Sequence, residues 1–324
     1  MNNEVAKAIG LLSGGLDSTL AVKLMIDQGV DVTVLNFVTP FCTCTRKGCR
    51  HEASRAAELF NVPIKILSTG KDYIEMIKNP KHGYGSNMNP CIDCRIFMFR
   101  KAKQYMEEIG ARFIFTGEVL GQRPMSQHRR AMNIIEKEAG LENLVVRPLS
   151  AKLLAPTIPE LNHWIDREKF LEIQGRRRLP QIELAKKLDV NDYPCPGGGC
   201  RLTDPQFAKR LKEAIDQGED TIRDIQLLKY GRHVRLPSGA KVIVGRNEEE
   251  NKVLLQFLDS EDIALEVIGT GSPIAILKKQ KDENDIRQAA SLCIRYSDTD
   301  KKDSAMLKIK HGRDHEEIIE YISI

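Results

Sequence analysis

Near its start the sequence contains Ala8-Ile9-Gly10-Leu11-Leu12-Ser13-Gly14-Gly15-Leu16-Asp17-Ser18. An apolar run, a glycine pair and then leucines at helical spacing predict a β-strand, a tight loop and a helix. Backbone N–H groups in such a loop bind phosphate oxygens. The loop lacks the Gly-Lys-Ser/Thr ending of a Walker loop, so phosphoryl transfer is not the expected reaction. The alternative is an ordinary corner in which Asp17 or Ser18 caps the helix.

Short β-branched and apolar runs alternate with helical patterns through the first half of the sequence. Predicted strands cover residues 8–12, 32–37, 63–67, 113–116 and 144–147, and predicted helices cover 18–28, 52–60, 95–108 and 127–139. This alternation is typical of βαβ units. We therefore predict an α/β fold for residues 1–228, with a Rossmann-like parallel sheet and helices on both faces.

The pattern changes after residue 152. Predicted helices cover residues 167–174, 180–188, 204–217 and 221–228, and predicted strands then lie around Val234 and at 241–244, 253–257 and 274–277. Short strands separated by turns favour a second, smaller unit. We predict an α+β domain over residues 229–324.

Composition narrows the class of protein. The 324 residues are 41% hydrophobic and 29% charged, which is the balance of folded domains and excludes a disordered chain. No apolar run approaches the roughly 20 residues that span a bilayer, and the start does not resemble a signal peptide. We expect a cytoplasmic protein with no membrane partner. A net charge of +4 neither requires nor excludes RNA.

The eight cysteines are mostly grouped. Cys91 and Cys94 form a Cys-x-x-Cys at a predicted helix start, and Cys195 and Cys200 flank three glycines. In a protein without a secretory signal, such groups indicate metal or sulfur chemistry. Thiolates suit both an Fe–S cluster and a closed structural zinc site, and both alternatives stay open.

A further group, Cys42-x-Cys44-x4-Cys49-x-His51, follows the second predicted strand. Its ligand types suit zinc, although its spacing is unusual for a zinc finger. A small zinc site and unliganded thiols near the active site are both consistent with it. Cys293 stands alone in a helical run and is predicted to be a buried core thiol.

Residues 13–18 match, letter for letter, the pattern of the PP-loop ATP pyrophosphatases, enzymes that adenylate a carbonyl oxygen and release pyrophosphate. The resemblance implies that the ATP phosphates, and through Mg²⁺ the leaving pyrophosphate, are bound by Ser13, Gly14, Gly15, Asp17 and Ser18. Thr116 and Gly117 stand where related thiolases have a Thr-Gly motif that contacts nucleotide or substrate.

Residues 89–95, Asn-Pro-Cys-Ile-Asp-Cys-Arg, resemble the segment that carries the first catalytic cysteine of tRNA-uridine 2-thiolases. The resemblance implies catalytic roles for Cys94 and Cys195. Some tRNA thiolases bind a 4Fe–4S cluster through three cysteines, which here implies Cys91, Cys94 and either Cys195 or Cys200. The implied cofactors are ATP, Mg²⁺ and this cluster, with Zn²⁺ as the alternative to the cluster.

Residues 244–251 resemble the Gly-Arg-Asn-x-x-x-Asn signature of the NFACT-R domain, and residues 271–273 and 296–297 occur in similar order there. This resemblance implies RNA contact through Arg246 and Asn247, and Arg123 is a further candidate for RNA phosphates. The alternative for 244–251 is a β-hairpin with an Asn-rich turn.

Together these patterns predict an ATP-dependent tRNA sulfurtransferase that forms 2- or 4-thiouridine through an Fe–S cluster or a cysteine persulfide. Its partners are tRNA and a sulfur donor, either sulfide or a persulfide carrier, and a homodimer is one assembly open to it. One alternative is a PP-loop ligase that modifies a small base and holds structural zinc. Another is a non-catalytic adaptor that binds nucleotide and RNA.

Overall fold

The structure is a computed structural model that describes residues 5–42, 48–191, 193, 199–300, 304–312 and 315–322, with backbone only for 48–50, 304, 321 and 322. The chain divides into two compact units, residues 1–208 and 209–324. Each unit has its own sheet and its own hydrophobic core.

The first unit is built on a parallel sheet with the strand order β3-β2-β1-β4-β5 in its described residues. The strands are β1 Lys7–Leu11, β2 Asp31–Val38, β3 Ile64–Ser68, β4 Phe113–Thr116 and β5 Val145–Val146. Strand β1 lies between β2 and β4, so the strand order reverses there. Ligands of open parallel sheets bind at such a reversal, beyond the carboxyl ends of the strands.

Helices cover both faces of this sheet. They are α1 Leu16–Ile26, α2 Gly48–Leu59, α3 Lys71–Lys78, α4 Cys91–Glu108, α5 Arg129–Ala139, α6 Ile158–Leu161 and α7 Leu179–Lys187. On one face Met25 and Ala56 pack with Phe113, and on the other Phe99 and Ile135 pack with Ile9. Both faces of β1 are therefore buried, as its continuous apolar sequence predicts.

The predicted strands of the first unit are confirmed with small shifts at their ends. The predicted helix over residues 167–174 is wrong, because only Arg167–Lys169 forms a 3-10 turn. The backbone beyond this turn is extended and bonds to another segment: the N–H of Leu171 donates to the carbonyl of Pro148, and that of Ile173 to Leu149. These tertiary bonds prevail over a weak helical pattern.

The second unit contains an antiparallel sheet with the order β11-β10-β8-β9-β7-β6 in its described residues. The strands are β6 Arg232–Arg235, β7 Lys241–Val244, β8 Ile263–Val267, β9 Ala275–Lys278, β10 Ser304–His311 and β11 His315–Ile322. After α8 Pro205–Asp216, its helices are α9 Ile222–Leu227, α10 Glu248–Gln256 and α11 Glu283–Arg295. Ile243 packs with Leu254 of α10, and Val242 packs with Ala289 of α11. The smaller α+β unit is confirmed.

Residues 253–257 were predicted as a strand, and this prediction is wrong because they complete helix α10. The Asn247 side chain caps this helix by accepting from the N–H of Glu250 at 2.9 Å, and three glutamates fill the first turn. Acidic residues favour a helix N-terminus. The proposed Asn-rich hairpin at 244–251 is wrong for the same reason. Strands β8, β10 and β11 were not predicted.

The two units separate inside α8, between residues 208 and 209. The end of this helix and the loop after it belong with the second unit, since Arg235 and Lys241 pair with Glu213 and Glu219. The division by function into residues 1–228 and 229–324 remains a prediction. No described helix is both long enough and apolar enough to span a membrane.

Candidate active site

The loop after β1 closes on itself through two serines. Ser13 and Ser18 place their Oγ atoms 3.1 Å apart, and the Ser18 hydroxyl donates to the carbonyl of Gly15 at 2.9 Å. Gly14 has a φ of +78°, and a Cβ there would lie 2.6 Å from the backbone of Glu52 in α2. Glycine is therefore required at position 14, because the loop passes directly over a helix.

The segment that follows β4 packs against the first turn of α1. A Cβ on Gly117 would lie 2.4 Å from the backbone N of Ser18 and 2.5 Å from the carbonyl oxygen of Asp17. The predicted Thr116-Gly117 motif and the predicted phosphate loop thus meet at the reversal of strand order. The motif lies at the carboxyl end of β4 and the loop follows the carboxyl end of β1, and these two strands are neighbours in the sheet.

Asp17 is held by Gln122, a polar residue that the sequence places at the same edge of the sheet but whose contact with Asp17 was not predicted. Gln122 Nε2 donates to Asp17 Oδ2 at 2.9 Å, while Asp17 Oδ1 is buried and accepts no hydrogen bond from the described residues. The residue at the N-cap of α1 is Gly15, without a side-chain cap, so the alternative role of Asp17 or Ser18 as the helix cap is wrong. A buried carboxylate oxygen without a partner is costly unless a ligand meets it.

A buried ion-pair network connects this loop region to the cysteines. Glu118 Oε1 lies 3.0 Å from Arg95 Nε, and Glu118 Oε2 lies 3.0 Å from Arg147 Nε. Burial raises the pKa of Glu118, but the two guanidiniums outweigh burial and hold that pKa below its ordinary value. Glu118 stays ionised, and it fixes Arg95, the residue directly after Cys94. Sequence reasoning assigned no role to Glu118 or Arg147.

The hydroxyl of Tyr73 contacts one free thiol and lies near enough to two others to be affected by them. Cys94 lies in the first turn of α4, and its Sγ is 3.1 Å from Tyr73 Oη. Burial raises the pKa of Tyr73, and the nearby Cys94, Cys200 and Cys91 raise it further. The structure therefore brings Cys91, Cys94 and Cys200 to one place, although Cys200 is over a hundred residues from the others.

The segment around Cys200 also meets the first cysteine group. Cys42 and Cys200 form an antiparallel β-bridge, and the N–H of Arg201 donates to the carbonyl of Phe41 at 2.8 Å. Cys42 is disulfide-bonded. Residues 41–42 after β2 therefore lie beside residues 200–201 before α8, which no local sequence signal indicated.

Burial keeps the Cys94 and Cys200 thiols protonated. It raises the pKa of Cys94, which the Tyr73 hydrogen bond lowers in part, and it raises the pKa of Cys200 to about 12. A thiolate at this place needs a compensating charge. A bound metal ion or cluster supplies such a charge, since coordinated thiols are deprotonated.

No three His, Cys, Asp or Glu side chains in the described part of the chain are arranged to hold a metal ion. Cys195 and Cys44 lie outside the described residues, as does the Cys49 side chain. His51 is about half exposed, and its Nδ1 lies 4.0 Å from a carboxylate oxygen of Glu52. The ligand sets that include Cys195, or Cys42, Cys44, Cys49 and His51, therefore remain predictions, and the second set requires Cys42 as a free thiolate and not in a disulfide.

The predicted RNA residues occupy different settings. Arg123 is exposed, and it lies close enough to Cys200 to lower the pKa of that thiol slightly against the effect of burial. In the second unit, the Arg246 side chain is 49% exposed and pairs with Glu250. Asn247 caps α10, so its side-chain oxygen is engaged within the protein. Cys293 is fully buried, which confirms it as a core thiol, and burial raises its pKa to about 11.

Comparison with known families agrees with this geometry. Residues 4–152 match the family described as thiamine biosynthesis protein (ThiI), and residues 231–323 match the NFACT protein RNA binding domain, NFACT-R_2. The first match spans strands β1 to β5, and the second spans strands β6 to β11.

Individual relatives carry names of tRNA-modifying enzymes. The chain is 31% identical over 255 residues to the tRNA-specific 2-thiouridylase MnmA 2 of Thermoanaerobacter sp. (strain X514), covering 72% of this chain and 65% of the relative. It is 30% identical over 149 residues to the probable tRNA sulfurtransferase of Thermococcus kodakarensis, covering 44% and 36%. The chain spans about half the length of the curated relatives it matches.

Among solved structures, a 4-thiouridine synthetase in complex with RNA and bound ATP is similar, with 20% identity and a TM-score of 0.41. The similarity covers 68% of this chain and 52% of that one. The first unit contains every described residue of the site, from the loop after β1 to Cys200, and the family match covers this unit up to residue 152. The predicted PP-loop and NFACT-R assignments are confirmed.

Proposed function

We propose that this protein is an ATP-dependent tRNA sulfurtransferase that adenylates a uridine carbonyl oxygen and replaces that oxygen with sulfur. The observation that supports it most directly is the segment 116–118. Gly117 packs on the phosphate loop at Ser18, and Glu118 pairs with Arg95 beside Cys94. One short segment therefore holds the nucleotide loop and the thiol together, as a reaction that uses both requires.

In the first step the uridine carbonyl oxygen attacks the α-phosphorus of ATP, and pyrophosphate leaves. The N–H groups and hydroxyls of the loop, with Ser13 and Ser18 at its two ends, bind the departing phosphates. Asp17 suits a Mg²⁺ ion, because Oδ1 is buried without a partner while Gln122 fixes the other oxygen. Bound Mg²⁺ neutralises charge on the phosphates.

In the second step a sulfur nucleophile attacks the activated carbon, and AMP leaves with the original oxygen. Cys91, Cys94 and one of Cys195 or Cys200 would hold a 4Fe–4S cluster, and such a cluster would supply the sulfide. Without a cluster, the outer sulfur of a persulfide on Cys94 or Cys195 attacks the carbon. The other of these two thiols then breaks the S–S bond, which releases the thiouridine and leaves a disulfide between the two cysteines. In either route the Tyr73 hydroxyl bonds to Cys94, and the charge of Arg95 lowers the pKa of that thiol against the effect of burial. The thiolated nucleoside found in the tRNA product identifies which uridine is modified and at which carbonyl.

The test combines metal analysis with product analysis. Protein purified without oxygen is analysed for iron, zinc, sulfide and visible absorption, and then incubated with tRNA, ATP, Mg²⁺ and sulfide. We expect thiouridine in the digested tRNA together with AMP and pyrophosphate. We also expect bound iron and a broad absorption band at about 400 nm. Both should be lost in the double variant Cys91→Ala plus Cys94→Ala.

Cys293→Ala is the matched control, because Cys293 is a buried thiol of the other unit. It should keep the metal, the absorption and the product. Stoichiometric zinc without iron would exclude the cluster and favour the persulfide route. AMP formation that does not need tRNA and yields no thiouridine would overturn the proposed function and favour a ligase for a small base.

A further inference from the structure

Three loops meet at one end of the second unit. The N–H of Gly245 donates to the carbonyl of Ile274 at 2.9 Å, and the N–H of Asp298 donates to the carbonyl of Gly271 at 2.8 Å. Asn251 lies in α10, the helix that follows the loop at 245, and it contacts the loop at 272. Its side-chain amide donates to the carbonyl of Ser272 and accepts from the N–H of Ile274. The segments around 245, 272 and 297 therefore form one surface.

Two glycines make this close approach feasible. A Cβ on Gly245 would lie 2.1 Å from Asn251 Oδ1, and a Cβ on Gly271 would lie 2.3 Å from Asp298 Oδ2. Neither position has room for a side chain. The three loops are therefore packed against one another in a defined arrangement.

An exposed tyrosine with two arginines lies at this end. Tyr296 follows the last turn of α11 and is 39% exposed, and the Arg232 guanidinium carbon lies 4.6 Å from the centre of its ring. The guanidinium carbon of Arg295 lies 5.8 Å from the same ring. We refer to Arg232, Arg295 and Tyr296 as the Tyr296 surface.

The arginines in this part of the second unit differ in whether they pair with a carboxylate. Arg246 is neutralised by Glu250. Neither arginine of the Tyr296 surface forms an ion pair with a carboxylate among the described residues, although Asp298 lies nearby beside Gly271. The two guanidiniums lie against an aromatic ring and remain available to a phosphate.

We propose that the Tyr296 surface binds an unpaired nucleotide of RNA, with the base stacked on the tyrosine and the arginines bonded to the adjacent phosphates. An aromatic ring next to guanidiniums is the usual means of holding an unpaired base. A paired base cannot stack there, because its faces are already covered by its neighbours. The inference rests on the RNA-binding part of the proposed function and places the contact mainly at Tyr296, rather than at Arg246 and Asn247.

The test measures the Kd of the full chain for a fluorescein-labelled single-stranded uridine 12-mer and for an RNA duplex of the same length, by fluorescence anisotropy. We expect the single strand to bind more tightly. Tyr296→Ala should weaken that binding by about 10-fold or more, because stacking one base is worth about 1–3 kcal/mol. Tyr296→Phe keeps the ring and should stay within about 2-fold of the wild type.

Arg232→Gln should weaken binding and reduce the slope of log Kd against log salt by about one, as expected for one lost phosphate contact. Lys252→Gln is the matched charge control, since Lys252 pairs with Glu248 on the outer face of α10. Lys252→Gln should leave the Kd and the salt slope close to those of the wild type, apart from the general effect of losing one positive charge. Circular dichroism of each variant checks that the fold is retained.

Equal binding by Tyr296→Ala and the wild type, or equal affinity for strand and duplex, would overturn this proposal. If Tyr296→Ala fails to fold, the single variants Tyr296→Phe and Arg232→Gln still test the proposal. A stacking site beside phosphate contacts keeps its RNA affinity in the first variant and loses affinity in the second. Thiouridine formation is measured on the same samples. A chain that makes no thiouridine yet loses RNA binding in Tyr296→Ala separates failure of the enzyme from failure of the RNA surface.

Discussion

Tyr73 Oη lies 3.1 Å from Cys94 Sγ, and the tyrosine is only 2% exposed. The ring is held by Phe41, with centroids 6.2 Å apart, and by Phe97, at 5.1 Å. A hydroxyl donor stabilises the thiolate form of cysteine more than the thiol form. Tyr73 therefore favours the reactive state of Cys94, against the effect of burial.

Tyr73→Phe removes this donor and leaves the ring in place. We expect the pKa of Cys94 to rise further above its ordinary value, because burial then acts without the opposing hydrogen bond. At about pH 8 the alkylation of Cys94 by iodoacetamide should slow by about 3- to 10-fold, the worth of one hydrogen bond. Peptide mass spectrometry measures the rate at Cys94 separately from Cys91 and Cys200.

Tyr84→Phe is the control for this change, because the Tyr84 hydroxyl donates to the carbonyls of Ile77 and Lys78, the last two residues of α3. It should leave the rate at Cys94 unchanged. Identical pH profiles for Tyr73→Phe and the wild type would show that the tyrosine only fills space.

Asp17→Asn should abolish conversion of ATP to AMP and pyrophosphate, with a loss of about 100-fold or more, because the variant lacks a carboxylate for Mg²⁺. The fold should persist, since the asparagine oxygen can still accept from Gln122. Asp27→Asn, at the other end of the same helix and paired with Lys23, should retain activity. An unchanged rate of AMP formation in Asp17→Asn would show that this carboxylate is not needed for Mg²⁺, whereas a wild type that forms no AMP would favour the non-catalytic adaptor.

Gly117→Ala should disrupt the nucleotide site through backbone overlap alone. The new Cβ would lie 2.4 Å from Ser18 N, so the first turn of α1 must move. ATP affinity, measured by titration calorimetry, should fall by about 10-fold or more, since misplacement near 1 Å is costly at such sites. Gly70→Ala, whose Cβ would meet only Asp72 Oδ1 at 3.5 Å, should bind ATP normally.

Glu219→Gln tests the buried ion pairs of the second unit. Burial alone raises the pKa of Glu219, but its bonds to Arg235 and Lys241 hold that pKa at about 2, against 4.5 in the unfolded chain. Its ionised form therefore stabilises the fold above about pH 4.5, and this contribution disappears as the pH falls towards 2. At pH 7 the variant should lose about 2–3 kcal/mol of the free energy of unfolding, as calorimetry measures.

The difference between Glu219→Gln and the wild type should narrow progressively below about pH 4.5. Glu248→Gln, on an exposed pair with Lys252, should match the wild type at every pH. A difference in stability that is constant from pH 7 to pH 3 would show that Glu219 acts through packing and not through charge.

Local sequence predicted the elements of the first unit well. The phosphate loop is contiguous, and its glycines and flanking apolar runs specify a strand, a turn and a helix within about 20 residues. Gly29 is a similar case, since it ends the first helical pattern and has a φ of +77°. Where local signals were weak, tertiary contacts prevailed, as at residues 171–173 and in helix α10.

The residue types of this protein were sufficient to indicate a nucleotide loop, a reactive cysteine pair and an RNA-binding second unit. The linear order did not show that Tyr73 meets Cys94, that Cys42 runs beside Cys200, or that Glu118 joins Arg95 to Arg147. These contacts join residues 21 to 158 positions apart, or arise where separate strands end at one sheet edge. The spacing of residues along the sequence does not reveal such contacts, because they depend on how buried helices and strands pack in three dimensions.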